Sequence, residues 1–355
     1  MTTQVLVLKT GALGDVLRTT AILPGLAERY DDLRVTWLTA HGARPLVEHH
    51  PLVDRVVTVD PKDADSVAAA PVLSPEGGRW HRVLSFDDEE PLCRLASAAE
   101  SDAVSGDYMT EDGGRAYTDD VAPWFDMGLL SRRGKEEADR LKVANERTHP
   151  AIYADMLGIE MGEPELPLPD EAAAFGAAFA ERNGLTGEGL RIGLNTGAGG
   201  RWESKKLPVE RTVELARTIV GRHGARTRFV VLGGPDEAER NAAILAGVGE
   251  FAGAVDAGTD NSLLEFAAIV DGLDLLITSD SLALHVANAR RVPIVAFFAP
   301  TSAAEIELYG RGEKVVSTAP DYCSYKADAD NSTITVERLL EAVQRVRREH
   351  GAQTR

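Results

Sequence analysis

Short apolar runs separated by stretches of helical periodicity set the rhythm of this chain. In its first half the runs at residues 5–8 (VLVL), 35–38 (VTWL), 56–59 (VVTV) and 83–86 (VLSF) read as strands, and the stretches 16–30 and 43–49 between them as helices. Strands alternating with helices predict βαβ units and a parallel sheet. Pro24 falls inside the first helix and predicts a kink there. From residue 87 to 134 the pattern weakens. Acidic clusters, the Gly113-Gly114 pair and scattered Trp124 and Phe125 predict an irregular insertion, either a substrate loop or ordinary surface. Residues 140–158 read as helical again.

The segment LPLPDE at 166–171 predicts an extended connection and a hinge, because its prolines disfavour helix. A helix at 172–182 closes on Asn183-Gly184. The alternation then restarts, with strands at 192–194, 229–232, 255, 275–277 and 294–298 and helices at 209–222, 236–245, 263–270 and 282–289. A final helix at 335–350 carries Glu337 near its start and Arg345, Arg347 and Arg348 near its end, a charge order that suits the helix dipole. The pattern predicts two doubly wound α/β domains, 1–168 and 169–330, with residues 331–355 as a C-terminal helix crossing back to the first domain.

Composition narrows the function. A chain of 355 residues can hold two cores, and 44% hydrophobic with 26% charged residues is ordinary for a globular protein. The longest apolar stretch, IVAFFA at 294–299, is too short to span a bilayer, and the N-terminus MTTQ lacks the basic region of a signal peptide. A cytoplasmic protein with at most peripheral membrane contact is expected. The net charge of −18 argues against nucleic acid or an anionic membrane as main ligand, although a local basic pocket can still take a phosphate. Cys93 and Cys323 form neither a disulfide framework nor a zinc quartet.

Three strand-to-helix turns carry the candidate chemistry: KTGALGD at 9–15, NTGAGGRW at 195–202 and TSDS at 278–281. Such turns aim backbone N–H groups at one point in the crevice at the strands' carboxyl ends. Two such sheets facing each other make a cleft suited to a phosphorylated ligand. No P-loop, third fingerprint glycine, H-E-x-x-H or G-x-S-x-G is present. The triplets Asp63-Ala-Asp65 and Asp328-Ala-Asp330 read as a metal pair or as solvated loops, and no metal is expected. Asp15, following Gly14, reads as a general base facing the crevice or as a helix cap. Thr196, Gly197 and Gly199 can bring backbone N–H groups to a diphosphate, with Lys205 and Arg201 as cations for its charge or as solvated side chains. Lys206 is expected to face solvent. Asp236 or Glu237 is placed to accept from ribose hydroxyls. Asp280 and Ser281 open a helix that carries His285 one turn on, for capping or for a sugar diphosphate.

In order, KTGALGDVLRTT (9–20), NTGAGGRW (195–202), KKLP (205–208), LGGPDE (232–237), SDSLALH (279–285), FFAPT (297–301) and LYGRG (308–312) resemble glycosyltransferase family 9, the heptosyltransferases. The resemblance implies the GT-B architecture of two facing Rossmann-like doubly wound domains, acceptor on the first and nucleotide sugar on the second. It implies inverting, metal-independent transfer of heptose from ADP-heptose, without a cofactor, to a hydroxyl on a lipopolysaccharide core, another surface glycan or a small metabolite. By position it implies Asp15 as the base and Lys205 as the cation that stabilises the departing diphosphate. The donor-binding group it implies is Gly14, Thr196, Gly197, Gly199, Arg201, Asp236, Glu237, Asp280, Ser281 and His285. Leu282 stands where many members have glycine, which points to altered donor specificity, and Cys323 stands where many members carry several cysteines. The first half offers only RRGK at 132–135 as a basic patch, which makes a soluble small acceptor a serious alternative to a lipid one. A sugar-nucleotide epimerase or hydrolase, and a non-catalytic sugar-nucleotide-binding protein, are the other readings. Asp15 together with Lys205 argues against the last.

Overall fold

The computed structural model describes residues 2–199 and 202–350, and it divides into two compact units between Pro167 and Leu168. In the first unit, β1 (Thr3–Leu8), β2 (Leu33–Ala40), β3 (Arg55–Val59), β4 (Arg82–Ser85) and β5 (Val104–Met109) run parallel, and β6 (Arg115–Tyr117) returns antiparallel on β5. Their spatial order is β3-β2-β1-β4-β5-β6. Val5 to Leu8 of β1 have no exposed surface, which is why this central strand is a continuous apolar run and not an alternating one. The helices are α1 (Leu13–Thr19), α2 (Ile22–Arg29), α3 (Ala64–Ala68), α4 (Glu90–Ala98), α5 (Ala122–Phe125), α6 (Lys135–Ala144) and α7 (His149–Leu157).

Several expectations change here. The single helix expected at 16–30 is two helices, and the chain turns at Thr20 and Ala21, not at Pro24. Pro24 lies in the first turn of α2, where a helix needs no backbone donor. The helix expected at 43–49 is a 3-10 turn, His41–Leu46, with Pro45 inside it. The stretch 140–158 also divides, because Thr148 caps a new helix by accepting from Ala151 N (3.4 Å), with Pro150 in its first turn. The supposedly irregular insertion holds α4, β5 and β6. The strand β5 escapes the periodicity because its buried side includes Ser105 and Asp107 around Gly106. Gly106 has φ 123°, and a Cβ there would lie 1.7 Å from Ser85 O, so only glycine lets β5 pass.

In the second unit β7 (Arg191–Asn195), β8 (Arg228–Leu232), β9 (Gly253–Asp256), β10 (Leu275–Ser279), β11 (Ile294–Phe298) and β12 (Gly312–Val316) are all parallel, in the order β12-β11-β10-β7-β8-β9. The helices are α8 (Asp170–Arg182), α9 (Val209–His223), α10 (Ala238–Gly249), α11 (Leu263–Asp271), α12 (Leu282–Ala289) and α13 (Val336–His350). α13 is the C-terminal helix expected at 335–350. α13 packs on α9, β11 and β12, and its apolar stripe Leu339, Val343 and Val346 is buried in one cluster with Ile192, Phe229 and Ile277. It completes the core of its own unit. Among the described residues no helix is long and apolar enough to cross a membrane.

Candidate functional site

Each sheet reverses its strand order once, between β1 and β4 in the first unit and between β7 and β10 in the second. Neighbouring connections leave in opposite directions at such a point and open a crevice at the carboxyl ends of the strands. Among the described residues, Gly14 and Asp15 follow β1, Thr196, Gly197, Gly199 and Lys205 follow β7, and Asp280, Ser281 and His285 follow β10, while Asp236 and Glu237 follow β8.

In the second unit the crevice lies between Asn195, which ends β7, and Ser279, which ends β10. Asn195 Nδ2 donates to Gly197 O (2.7 Å), Thr278 Oγ1 (3.0 Å) and Ser281 Oγ (3.2 Å), tying the two loops together. Ser281 is the N-cap of α12, so the orphan N–H groups of that helix start here. The 3-10 turn Glu203–Lys205 delivers Lys205 to the same spot. Its Nζ donates to Asp280 O (2.8 Å) and Asp280 Oδ2 (3.1 Å) and lies 5.0 Å from the centre of the Trp202 ring. His285 is buried one turn into α12, with Nε2 4.0 Å from Asp280 Oδ1. Lys205, Asp280, Ser281 and His285 therefore form one group.

The neighbouring loops divide their labour differently from what the sequence suggests. The Thr196 hydroxyl is buried and donates to Leu232 O (3.1 Å) and the Asn241 side chain, so it fixes the loop from behind. Gly199 adopts φ 71°, a left-handed conformation natural to glycine, and a Cβ on Gly197 would come within 2.7 Å of Glu237 Oε2. Asp236 is exposed, whereas Glu237 is buried and accepts from Gly234 N (3.0 Å). Lys206 does not face solvent. It is half-buried, between Glu203 (3.1 Å) and Glu237 (3.2 Å). Burial pushes its ammonium down, and the two carboxylates more than reverse this and hold it above the ordinary lysine range. No local pattern signals this, because Glu237 comes from the loop after a different strand. Arg201 lies outside the described residues.

In the first unit Lys9 and Thr10 follow β1, and Asp87 follows β4. Lys9 Nζ, Thr10 N and Thr10 Oγ1 (2.7 Å) all donate to the Asp87 carboxylate. Burial pushes the Lys9 ammonium down, and Asp87 with Asp15 overcomes it and keeps the lysine high. Gly14 and Asp15 occupy the second and third positions of α1, while Ala12 holds the N-cap position. The Asp15 side chain is 38% exposed and pairs with Arg18 one turn on, at 2.8 Å. The Arg18 guanidinium lies 5.3 Å from the centre of the Trp124 ring, which meets His149 (5.0 Å) and Tyr153 (5.8 Å) edge-on. His149 and Tyr153 stack at 3.9 Å. The spacing of Asp15 and Arg18 is visible in the sequence as a helical i, i+3 pair. Trp124 and His149 have no such signal. Asp107 is fully buried, and neither carboxyl oxygen has a hydrogen-bond partner among the described residues. Burial, helped by Asp88 and Asp87, pushes its carboxyl up to about 8.

The two Asp-x-Asp triplets serve local structure. Asp63 caps α3 by accepting from Asp65 N (3.0 Å), and Asp330 accepts from Ser332 N (2.7 Å).

The first crevice thus presents an accessible carboxylate oriented by a guanidinium, suited to proton transfer. The second presents a fixed ammonium beside a glycine loop and a helix start, suited to a diphosphate. The family model for glycosyltransferase family 9 (heptosyltransferase) matches residues 117–335, more than half of the chain. No curated protein matches. Several solved structures share the fold. The glycosyl transferase family 9 protein from Veillonella parvula is 20% identical, with a TM-score of 0.77 and 98% of each chain covered. The ADP-heptose LPS heptosyltransferase II of E. coli is 17% identical, with a TM-score of 0.67 and 98% and 99% coverage of this chain and that one. E. coli heptosyltransferase WaaC with ADP is 17% identical, with a TM-score of 0.58 and 99% and 100% coverage. On the extent of the family match, this chain belongs to glycosyltransferase family 9, the heptosyltransferase family, and is a glycosyltransferase.

Proposed function

We propose that the enzyme moves a heptose from ADP-heptose onto an acceptor hydroxyl of a surface glycan or small metabolite, with inversion and without a metal ion. The observation that carries this reading is Lys205, held on Asp280 at the β7/β10 crevice beside the Gly197 and Gly199 loop and the start of α12. Two of its three ammonium hydrogens are committed to Asp280, and the third suits a phosphate oxygen. The E. coli WaaC structures with ADP and with ADP-2-deoxy-2-fluoro heptose support an adenosine diphosphate donor.

The chemistry follows as a single displacement. Asp15 takes the proton of the acceptor hydroxyl as its oxygen attacks the anomeric carbon. The bond from that carbon to the diphosphate oxygen breaks, and its electron pair leaves with ADP. Lys205 and the backbone N–H groups stabilise that charge. Arg18 keeps the Asp15 carboxylate in one orientation. Glu237, buried and fixed by Gly234 N, accepts from the ribose in preference to exposed Asp236. Leu282 narrows the sugar side of the site. The family match begins beyond Asp15, so the base assignment rests on the geometry of α1.

Release of ADP from ADP-heptose, together with ligand-induced thermal shifts, tests this. ADP raises the melting temperature and UDP and GDP do not. Asp15→Asn lowers turnover about 10²–10⁴-fold and keeps the ADP shift, whereas Lys205→Ala loses both. A larger shift with UDP or GDP removes the donor assignment, and full turnover in Asp15→Asn removes the base. Equal ADP release with and without an acceptor makes the enzyme a hydrolase.

A further inference from the structure

A nucleoside diphosphate presents two vicinal ribose hydroxyls, both O–H donors, and an ionised carboxylate is the strongest acceptor for them. Glu237 is only 3% exposed, and a buried carboxylate is costly unless a cation pairs with it. That cation is Lys206, whose Nζ lies 3.2 Å from Glu237 Oε1 and whose side chain is 9% exposed. The contact is an ion pair. Oε1 has no hydrogen bond among the described residues, while Oε2 holds the Gly234 N–H. Lys206 thus fixes Oε1 as the Gly234 N–H fixes Oε2.

The other half of the lysine's environment explains why it can hold Glu237 still. Nζ also pairs with Glu203 (3.1 Å), the first residue of the turn that presents Lys205. Glu203 lies 3.7 Å from Arg240 Nη1 on α10, the helix that follows Glu237. The backbone of that turn is anchored by Asn331, whose Nδ2 donates to Ser204 O (3.1 Å) and Lys206 O (3.0 Å). One ammonium therefore joins the loop after β7 to the loop after β8, linking the phosphate lysine to the buried carboxylate.

We infer that Lys206 is a positioning residue for the donor's ribose, acting through Glu237. This rests on the adenosine diphosphate donor proposed above. Without Lys206 the Glu237 carboxylate loses its counter-ion and its link to the Lys205 turn. Affinity for the ribose hydroxyls then falls, and affinity for the same ligand without one of them does not.

Calorimetric titration of the full-length protein with ADP and with 2′-deoxy-ADP and 3′-deoxy-ADP tests it. The wild-type protein binds ADP about tenfold more tightly than at least one deoxy analogue. Lys206→Met closes that gap by weakening ADP alone, Lys206→Arg restores it, and Glu237→Gln reproduces the loss. The double variant Lys206→Met/Glu237→Gln shows no further loss, because both changes remove one interaction. It also carries no unpaired buried charge, so it keeps the question open to measurement if Lys206→Met does not fold. A merely structural lysine would lower the melting temperature and weaken all three ligands alike, and that result overturns the inference. So does an unchanged gap in Lys206→Met, with the donor reading intact. A wild-type protein that binds no ADP removes the donor reading and this inference together.

Discussion

A carboxyl group with no exposed surface and no hydrogen-bond partner, flanked by two other aspartates, keeps its proton at neutral pH, and Asp107 is in that position. Its folded pKa of about 8 lies above the ordinary 3.8, so the folded state binds the proton more tightly than the unfolded chain does. The stability this contributes is complete below the ordinary value and is lost as pH rises through the folded one. Asp107→Asn removes that loss. The variant's melting temperature should therefore gain on the wild type between about pH 4 and pH 8, by an amount equivalent to a few kcal/mol at the alkaline end. A constant difference across that range would show that the buried carboxyl does not titrate there. His50 acts in the opposite sense, since burial pushes its imidazole down to about 4 and its contribution is lost as pH falls. At this scale the sequence named Asp15, Lys205 and the Asp280–His285 group as candidates, because each sits in a turn whose spacing has a local cause. It hid Lys206, Trp124 and Asp107, whose states depend on residues brought in from other strands.

Elements were legible where one period dominated. Strands β1, β7, β8 and β10 are mostly buried, largely apolar runs, and the loops after them carry most of the candidate site. The strand β5 was not legible, because Gly106 and Asp107 break its pattern for reasons of close packing. The final helix was legible as amphipathic, but an apolar stripe does not name the surface that covers it. Its packing on α9, β11 and β12 gives a direct test. Leu339→Ala should cost about 2–5 kcal/mol in urea unfolding, while Arg348→Ala on the exposed side should stay within about 0.5 kcal/mol of wild type. Equal effects would mean that α13 is peripheral to the core.

For the whole molecule, the alternation of strands and helices was enough to show two doubly wound units, and the pair of strand-order reversals was not visible until the sheets were assembled. The proposed division of labour predicts where a donor product leaves its mark. On adding ADP, amide hydrogen exchange should slow at residues 195–199, 233–237 and 278–285 of the second unit, and little at residues 9–15 of the first. Protection centred on residues 9–15 would relocate the nucleotide.

The clasp formed by Lys9, Thr10 and Asp87 bears on any attempt to redirect this enzyme to new acceptors. It staples the ends of two adjacent central strands, and removing one partner of such a buried ion pair costs about 3–5 kcal/mol. Libraries that vary the loop after β4 would do best to begin at Asp88, where the side chains reach the surface. A library that opens at Asp87 would mostly sample misfolded protein, and its inactive members would say nothing about substrate choice.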